Sequence, residues 1–403
     1  MQRVPTGLCG VDKTETQSRL KYDVLIVGGG IVGCSIAYHL GKLGLRVALV
    51  ERGEIAGEAS LAGAGMLAAL DGASEIYAHT EQASPFLQLC LAGLRYYRNL
   101  DQQLKQETGI DIGLVKAPML RLAFSEQDVI ALQARLAQQQ RFLSGLQWFD
   151  GESARAIEPL LSSTVLGVLA SPHEYNVSAP RLTQAYACGA ALHGVHIFTG
   201  RSADRLLLQK MRIAGIETNQ GQIHAEHVVL AAGAWTARWH TQTVSPIIFP
   251  VKGQMLALQA PLGQPLRHTL YSHKLGYLVP KADGSIYVGA TSEHIGFRKT
   301  VNAAGIATLL ATVAEVAPKL LEGSFERSWT GLRPGSADGL PLLGGCRSRP
   351  GLWLASGHFR DGILLGPLTG HILAELIQGR AAPFGLDLST FDPDRFGGWG
   401  DSH

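Results

Sequence analysis

The chain has 403 residues, 46% of them hydrophobic, and its 35 basic and 33 acidic residues give a net charge of +2. This length allows two domains and a sizeable core. The near balance of charge gives no electrostatic reason to expect nucleic acid or an anionic membrane as a partner. No apolar stretch reaches the roughly 18 residues of a membrane span.

The cysteines and the N-terminal residues indicate the compartment. The five cysteines are scattered and lack metal-ligand spacing, so we expect reduced thiols and no metal site. Residues 1–20 are polar and contain no apolar signal-peptide core, which predicts a disordered N-terminal extension. Together these features predict a cytoplasmic protein.

A glycine-rich fingerprint follows the first apolar segment. Residues 24–27 are typical of a buried strand, and they lead into Gly28, Gly30 and Gly33 in Gly-x-Gly-x-x-Gly spacing, where a helix is predicted over residues 31–42. The first glycine permits a tight turn, the second lets backbone approach a pyrophosphate, and the third allows close packing of helix on strand. The positive end of the helix dipole would face the phosphates. The spacing alone would also suit a structural turn, but its strand–turn–helix context predicts dinucleotide binding.

The residues after the next predicted strand indicate which dinucleotide is bound. Glu51 ends that strand, over residues 47–50, where a carboxylate would accept hydrogen bonds from the adenosine ribose. A long run of small residues, 52–66, then occupies the place where a nicotinamide-binding domain would begin its next helix. Such a run lets backbone wrap closely around a bulky flavin, although a surface loop could have the same composition. We therefore favour FAD over NAD.

Hydrophobic periodicity predicts alternating helices and strands through the rest of the chain. Helices are predicted at 85–108, 129–146 with Ser125 as its N-cap, 180–193, 302–316 and 364–377. Strands are predicted at 114–124, 195–198, 205–230, 247–259, 271–290 and 351–356, with turns inside the third at 214–215 and 219–221. This order implies a dinucleotide domain that is interrupted by a β-rich domain.

Six short motifs, taken together, resemble the D-amino acid oxidase superfamily of FAD proteins, and within it most closely the glycine oxidases of thiamine biosynthesis. The motifs lie at residues 28–33, 62–66, 251–254, 331–335, 337–341 and 357–363. The resemblance covers roughly residues 20 to 395. It implies a mixed α/β (α+β) fold, with a glutathione-reductase-like Rossmann domain that binds FAD and an antiparallel-sheet domain that binds the substrate. The FAD domain is expected at 21–90, 163–240 and 337–395, and the substrate domain at 91–162 and 241–336.

The resemblance also assigns site residues. Arg333 matches the arginine that pairs with the substrate carboxylate, and Tyr277, Arg360 and Met66 match residues of the substrate pocket. The expected FAD contacts are Gly28, Gly30, Ile31, Val32, Gly33, Glu51, Arg52, Ala59, Ser60, Ala64, Gly65, Met66, Ala203, Gly233, His358, Phe359, Arg360, Asp361, Gly362, Ile363 and Leu364. From the residues alone, Arg333 could be a solvent-facing turn arginine and Tyr277 an ordinary strand aromatic.

The implied reaction is oxidative deamination of a small amino acid, with oxygen reduced to hydrogen peroxide. It requires no dedicated acid or base, because the flavin accepts the α-hydride of the neutral amine. We therefore expect His358 to use its backbone against the flavin. A related enzyme tethers its flavin through a cysteine near position 331, where this chain has Gly331, so FAD is expected to be noncovalent.

Several alternatives stay open at this point. Ser292 and Leu275 stand where related enzymes carry methionine and histidine, which leaves glycine, sarcosine and small D-amino acids as candidate substrates. A flavoprotein dehydrogenase, with an acceptor other than oxygen, would share every motif. A nicotinamide-dependent dehydrogenase or a noncatalytic FAD subunit fits less well. The resemblance also implies a homo-oligomer, a tetramer.

Overall fold

The computed structural model describes residues 21–72, 83–239 and 247–397. The extension predicted for residues 1–20 lies outside these ranges. Within them the chain forms a mixed α/β fold with two large sheets, which confirms the predicted fold class.

The strands are numbered in chain order. They are β1 Lys21–Val27, β2 Val47–Val50, β3 Met66–Leu67, β4 Met119–Ala123, β5 Gln147–Asp150, β6 Gly167–Ser171, β7 Tyr175–Asn176, β8 His196–Phe198, β9 Ala203–Gln209, β10 Arg212–Thr218, β11 Gly221–Leu230, β12 Ile248–Gln259, β13 Thr269–Ser272, β14 Gly276–Pro280, β15 Ser285–Gly289, β16 Ser324–Ser336, β17 Leu342–Gly345 and β18 Leu352–Ser356.

The α-helices are numbered in the same way. They are α1 Ile31–Lys42, α2 Ala59–Ala62, α3 Ala69–Gly72, α4 Pro85–Tyr96, α5 Leu100–Thr108, α6 Glu126–Gln139, α7 Gly151–Ile157, α8 Ala179–Leu192, α9 Ala303–Val316 and α10 Gly362–Ile377. Short 3-10 helices include Gly233–Trp239 and Pro318–Glu322.

The first sheet contains the predicted strand–turn–helix unit. Its main path runs β17-β18-β11-β1-β2-β8, with β10 and β9 added beside β11. β1 pairs in parallel with both β11 and β2, so the carboxyl ends of these strands lie at the same edge. Both faces of β1 are covered: Val24 and Ile26 pack with α1, α8 and α10, while Leu25 and Val27 pack with β10 and β11. This double burial explains why the strand is apolar on both sides.

The second sheet has the order β16-β12-β15-β14-β13-β4-β6-β5. Its neighbours are antiparallel except for β13 and β4, which run parallel. One face packs on α9 through a core that contains Leu256, Leu278 and Val313. A two-stranded sheet of β3 and β7 lies apart from both.

Two helix beginnings agree with the sequence because their caps are local. Ser125 Oγ accepts a hydrogen bond from the Asp128 amide, and the Asp128 carboxylate accepts one from the Ser125 amide, which forms a capping box at the start of α6. Asn302 caps α9 by accepting from the Gly305 amide. Each cap joins residues only three positions apart in the chain, so capping can be predicted without tertiary information.

Several local features differ from what the sequence predicts. The helix expected over 85–108 is two helices, separated at residues 97–99. The turn expected at 214–215 is an irregularity inside β10, where Gly215 has φ 142° and a Cβ would lie 2.1 Å from the Ile223 carbonyl oxygen. The glycine therefore serves close strand approach. The long edge strand β16 was not predicted, because its glycines, its proline and its exposed polar half obscure any alternation.

The boundaries of the expected domains stay a prediction. The packing of two segments close to these boundaries is as follows. Leu89, Leu94 and Leu104, from α4 and α5, belong to the same hydrophobic cluster as α1 and α10. Strand β6 belongs to the second sheet.

Candidate active site

A cavity of about 530 Å³ is lined by residues of both sheets and lies at the carboxyl ends of β1, β2 and β11. This edge of a parallel sheet is where such folds bind dinucleotides. The predicted site residues that line the cavity are Gly28, Gly30, Ile31, Val32, Glu51, Arg52, Ala59, Ser60, Ala64, Gly65, Met66, Ala203, Gly233, Tyr277, Arg333, His358, Phe359, Arg360, Gly362 and Ile363. Gly33, Asp361 and Leu364 are not among the lining residues.

Two fingerprint glycines have a packing role. Gly28 has φ 115°, and a Cβ there would lie 2.4 Å from the Ala231 carbonyl oxygen. At Gly33, a Cβ would lie 1.9 Å from the Gly28 carbonyl oxygen. Any side chain would therefore push α1 away from β1, which explains why Gly33 is required without lining the cavity.

The N-terminus of α1 borders the cavity, and its N-cap residue provides no side-chain cap. Gly30 is the N-cap, and the first turn contains no acidic residue. The Ile31 amide donates to Ser60 Oγ at 2.9 Å. The remaining amides of the first turn and the positive end of the helix dipole together suit an anion such as a pyrophosphate.

Glu51 lies at the end of β2 with its carboxylate fixed by backbone amides. Its Oε2 accepts from the Gly29 amide at 2.7 Å and its Oε1 accepts from the Gly53 amide at 2.8 Å. A carboxylate has about four acceptor sites, so two remain for ribose hydroxyls. Ala203, the first residue of β9, also lines the cavity.

Arg52 contacts an aromatic residue that the sequence analysis did not assign to the site. The Arg52 guanidinium carbon lies 3.8 Å from the ring centroid of Trp235, and its Nη2 donates to Glu58 at 2.8 Å. Lys299 also reaches Glu58, at 3.0 Å. Trp235 directly follows the small residues after β11. This position, beside the expected dinucleotide, is the sequence feature that could have assigned it to the site.

Lys281 is a second residue that the sequence analysis missed. It is 8% exposed and comes directly after β14, and its Nζ donates to the Ala64 carbonyl, to Asn176 Oδ1 and to the Val177 carbonyl at 2.9, 2.8 and 2.7 Å. Burial lowers the pKa of Lys281 to about 7. The side chain ties the second sheet to the segment Ala64–Met66 of the cavity wall.

An apolar cluster forms the opposite end of the cavity. Met66 and Tyr277 pack there with Met255 and Trp329. The Tyr277 ring lies over Gly289, where a Cβ would come within 2.6 Å of the ring. Burial raises the pKa of Tyr277, against the opposing effect of the nearby Arg333 charge, so its hydroxyl stays protonated.

Arg333 lies in the strand β16 and not in the turn-like setting that its neighbours suggested. It pairs with Val251 of β12, and its Nη1 donates to the Thr291 carbonyl at 3.1 Å. Burial lowers the pKa of Arg333, an effect opposed by Tyr277. Within the described ranges, no carboxylate lies within ion-pair distance of this guanidinium. It therefore faces the cavity as a cation that a ligand carboxylate would complement.

Arg360 lies two residues before α10, and its exposed side chain lines the same end. Its positive charge acts on both Tyr271 and Tyr277. Burial raises the pKa of Tyr271 to about 12 in spite of that charge. Arg360 and Arg333 thus both contribute positive charge to the end that contains the tyrosines.

His358 is 3% exposed, and its Nε2 lies 3.0 Å from Thr369 Oγ1 in α10. Burial lowers the pKa of His358 to about 4. The ring is therefore neutral at physiological pH and is anchored to a helix, which is consistent with the expectation that it performs no acid–base chemistry.

The cavity fits FAD by its chemistry. Its dinucleotide end combines a helix N-terminus whose N-cap is a glycine with a fixed carboxylate, and the run of small residues forms the adjoining wall. No cysteine of the described ranges lines the cavity, and Cys34, Cys90 and Cys346 are buried thiols. The residues therefore suit a flavin that is held by contacts alone.

The described ranges contain no group of three or more side chains placed to hold a metal ion. None of their helices combines the length and the apolar character needed to cross a membrane.

Comparison with known proteins gives consistent matches over most of the chain. Glycine oxidase from Geobacillus kaustophilus is 36% identical over 378 residues, which cover 93% of this chain and 97% of the relative. Its crystal structure matches the fold with a TM-score of 0.85 and 34% identity, over 93% of this chain and 99% of that one. The bifunctional protein ThiO/ThiG from Synechocystis sp. is 35% identical, over 93% of this chain and 54% of that protein.

The match to a family model agrees with these relatives. Residues 23–376 match the model described as DAO, FAD dependent oxidoreductase. FAD is accordingly the cofactor, and the chain belongs to the DAO family of FAD-dependent oxidoreductases.

Proposed function

We propose that the protein oxidises glycine, or a small amino acid like it, with FAD as cofactor. Glycine, oxygen and water give glyoxylate, ammonia and hydrogen peroxide through the imine. The observation that carries this proposal is Arg333, a half-buried guanidinium that lines the cavity with no carboxylate partner in the described ranges. The glycine oxidases among the relatives support the same substrate.

The chain's own residues bind and orient the substrate. Bound FAD supplies the electron sink for the α-hydride. Arg333 holds the carboxylate through its planar fork, and the Tyr277 hydroxyl, protonated at neutral pH, donates a further hydrogen bond. Met66 and Met255 line the cavity, pack with Trp329 and exclude water from the apolar side. The substrate carboxylate, held by Arg333, and the small apolar wall together orient the Cα–H bond of the substrate.

The cofactor is held by the predicted contacts along the dinucleotide end. The amides at the start of α1 bind the pyrophosphate, and Glu51 binds the ribose. The segments 59–66 and 358–364 contact the flavin, and Ala203 and Gly233 contact the rest of the dinucleotide. Attachment is noncovalent.

Oxygen is the electron acceptor in this proposal. The oxidases among the relatives support it over a dehydrogenase with another acceptor. The relative named ThiO/ThiG supports a role in supplying the glycine-derived imine for the thiamine thiazole. We place the tetrameric enzyme in the cytoplasm, where the thiols Cys34, Cys90 and Cys346 would stay reduced.

The test measures peroxide release with glycine, sarcosine, D-alanine, D-proline and D-aspartate. We expect glycine or sarcosine to give the highest kcat/KM, with one peroxide formed per amine oxidised. Turnover that requires an artificial acceptor and yields no peroxide in air would assign the chain to the dehydrogenases. Absence of turnover with all five amines, in protein that contains flavin, would contradict the proposal.

A further inference from the structure

The segment Lys252–Gly253–Gln254 of β12 matched a family motif in the sequence but has no part in the proposed chemistry. It lies in the strand next to β16, where Gly253 is the register partner of Gly331 and Val251 that of Arg333. Side chains two positions apart on neighbouring strands share one face and reach one another diagonally. Arg333 can therefore extend across Gly253.

Gly253 supports the guanidinium directly. A Cβ at this position would lie 2.4 Å from Arg333 Nη2, 2.6 Å from its Cζ and 2.6 Å from its Nη1. Even a methyl group would displace the guanidinium from the backbone on which it rests. Gly253 does not have a positive φ, so the need for glycine is one of space and not of conformation.

A hydrogen bond to Thr291 is the second contact that fixes the Arg333 guanidinium. Arg333 Nη1 donates to the Thr291 carbonyl at 3.1 Å. The Thr291 hydroxyl accepts from the Gln254 amide at 2.9 Å and donates to Glu293 Oε1 at 2.7 Å. The carbonyl that holds Arg333 is thus itself held by the strand on which the guanidinium rests.

Glu293 completes the arrangement behind Thr291. Its carboxylate accepts from Gln254 Nε2 at 2.7 Å and from Lys252 Nζ at 3.2 Å. Backbone bonds join Lys252 and Glu293 in both directions, at 3.0 and 2.9 Å. Lys252 is 1% exposed and Gln254 0% exposed. Charged and amide groups so buried have little freedom once they are paired, so the network is rigid.

We propose that Lys252, Gly253, Gln254, Thr291 and Glu293 form a cradle that positions the Arg333 guanidinium and so sets the affinity for the substrate carboxylate. The inference rests on the proposed function of Arg333. These are positioning residues: they act through Arg333. If the network only stabilised the sheet, changing it would weaken the binding of carboxylate ligands and of neutral ligands equally.

The first test replaces Gly253 and measures ligand binding to the FAD-loaded protein. Glycolate and its neutral amide, glycolamide, have similar shapes and differ in the carboxylate, and their binding is followed by the visible absorption of the flavin. We expect Gly253→Ala to weaken glycolate binding by about tenfold or more, as for loss of a hydrogen bond to a charged group, with little change for glycolamide. Equal weakening of both ligands would overturn the proposal.

A double-mutant cycle isolates the path through Arg333. In an Arg333→Met background, Gly253→Ala should cause no further loss of glycolate affinity, because the group that it displaces is absent. Additive losses in the two variants would show that Gly253 acts elsewhere, which contradicts the cradle.

Thr291 supplies a second variant that adds no bulk. Thr291→Val removes the hydroxyl and leaves the Gln254 amide and Glu293 each short of one partner, whereas Thr291→Ser keeps the hydroxyl. We expect the valine variant to raise the KM for glycine and to lower glycolate affinity, and the serine variant to retain both. Equal behaviour of the two variants would count against the cradle.

The wild type separates the two proposals. If it binds glycolate no more tightly than glycolamide and does not oxidise glycine, the proposed function fails and the cradle with it. If it prefers glycolate strongly while Gly253→Ala and Thr291→Val leave that preference intact, the cradle alone fails.

Discussion

Arg333 illustrates how backbone context decides the role of a side chain. Its neighbours Leu332 and Pro334 suggested an exposed turn, and the sequence alone favoured a solvent-facing arginine. The structure places it in a strand, with its guanidinium over Gly253 and bonded to Thr291. These contacts come from positions that are distant in sequence, so only the family resemblance could indicate the site.

Replacing Arg333 should affect carboxylated substrates above all. Arg333→Ala should leave FAD bound while kcat/KM for glycine falls by about 30-fold to several thousand-fold. Such a fall corresponds to the roughly 2 to 5 kcal/mol lost when one partner of a buried charge pair is truncated. Arg333→Lys should recover only part of the loss, because an ammonium cannot reproduce the bidentate fork. Steady-state kinetics with glycine measures both variants.

The control is an amine without a carboxylate, such as ethylamine. Its already low kcat/KM should change little in Arg333→Ala, since it gains nothing from the arginine. Equal losses for glycine and ethylamine would make Arg333 structural, and the carboxylate would then have to bind at Arg360.

Glu51 allows a matched test at the other end of the cavity. Glu51→Ala should weaken FAD binding by about 1.5 to 3 kcal/mol, the value for hydrogen bonds to a charged acceptor. Fluorescence titration of apoprotein with FAD measures this change, and Glu54→Ala, at an exposed position nearby, serves as the control. An unchanged FAD affinity in Glu51→Ala would mean that the ribose binds elsewhere.

Helices and strands were predictable where their signals are local. β1, α1 and β2 follow from the fingerprint, the beginning of α6 follows from its cap, and α9 follows from its hydrophobic periodicity. β16 and the separation of α4 from α5 were not predictable in this way. β16 acquires its structure from pairing with β12 along its length, and that pairing leaves no periodic pattern in β16 itself.

His358 precedes α10 and contacts Thr369 within that helix, and its buried ring leads to a pH-dependent prediction. Burial lowers its pKa to about 4 in the folded chain, against about 6.5 when unfolded. The unfolded state therefore binds more protons between pH 6.5 and 4, so this contribution to stability is complete above pH 6.5 and is lost as pH falls through 4. Its full size is about 3 kcal/mol.

Urea unfolding of wild type and His358→Gln at several pH values measures this contribution. Glutamine does not titrate and can still hydrogen-bond Thr369. We expect the wild type to lose more stability than the variant between pH 6.5 and 4. Parallel stability curves over that interval would contradict a neutral buried imidazole.

The cavity depends on how the two sheets come together, and this was the least predictable level. The predicted residues gather around one cavity because β1, β2 and β11 end at one edge and β12, β14 and β16 face them. Most of the site residues predicted from the family resemblance line the cavity. Trp235, Lys281 and the role of Gly253 were not predicted, because their partners come from other segments of the chain.

Lys281 should matter for stability because it links the second sheet to Ala64. Lys281→Met would leave two buried carbonyls and the Asn176 amide oxygen without their donor, at a cost of about 1 to 3 kcal/mol for each group. We expect a markedly lower midpoint in thermal unfolding, whereas Lys319→Met, at an exposed position, should change it little. Similar midpoints for the two variants would show that the Lys281 contacts are dispensable.

The arrangement of the thiols leads to a prediction about the purified protein. The described cysteines do not line the cavity, and Gly331 packs against Ala62, where a Cβ would lie 2.5 Å from the Ala62 Cβ. Burial raises the pKa of both Cys34 and Cys346, which keeps these thiols protonated and unreactive toward a flavin ring. The protein should be yellow and should release its FAD when acid unfolds it. Acid precipitation followed by washing should leave a colourless pellet, with the flavin fluorescence in the supernatant. Fluorescence that persists in the washed pellet would establish a covalent bond and would overturn noncovalent attachment.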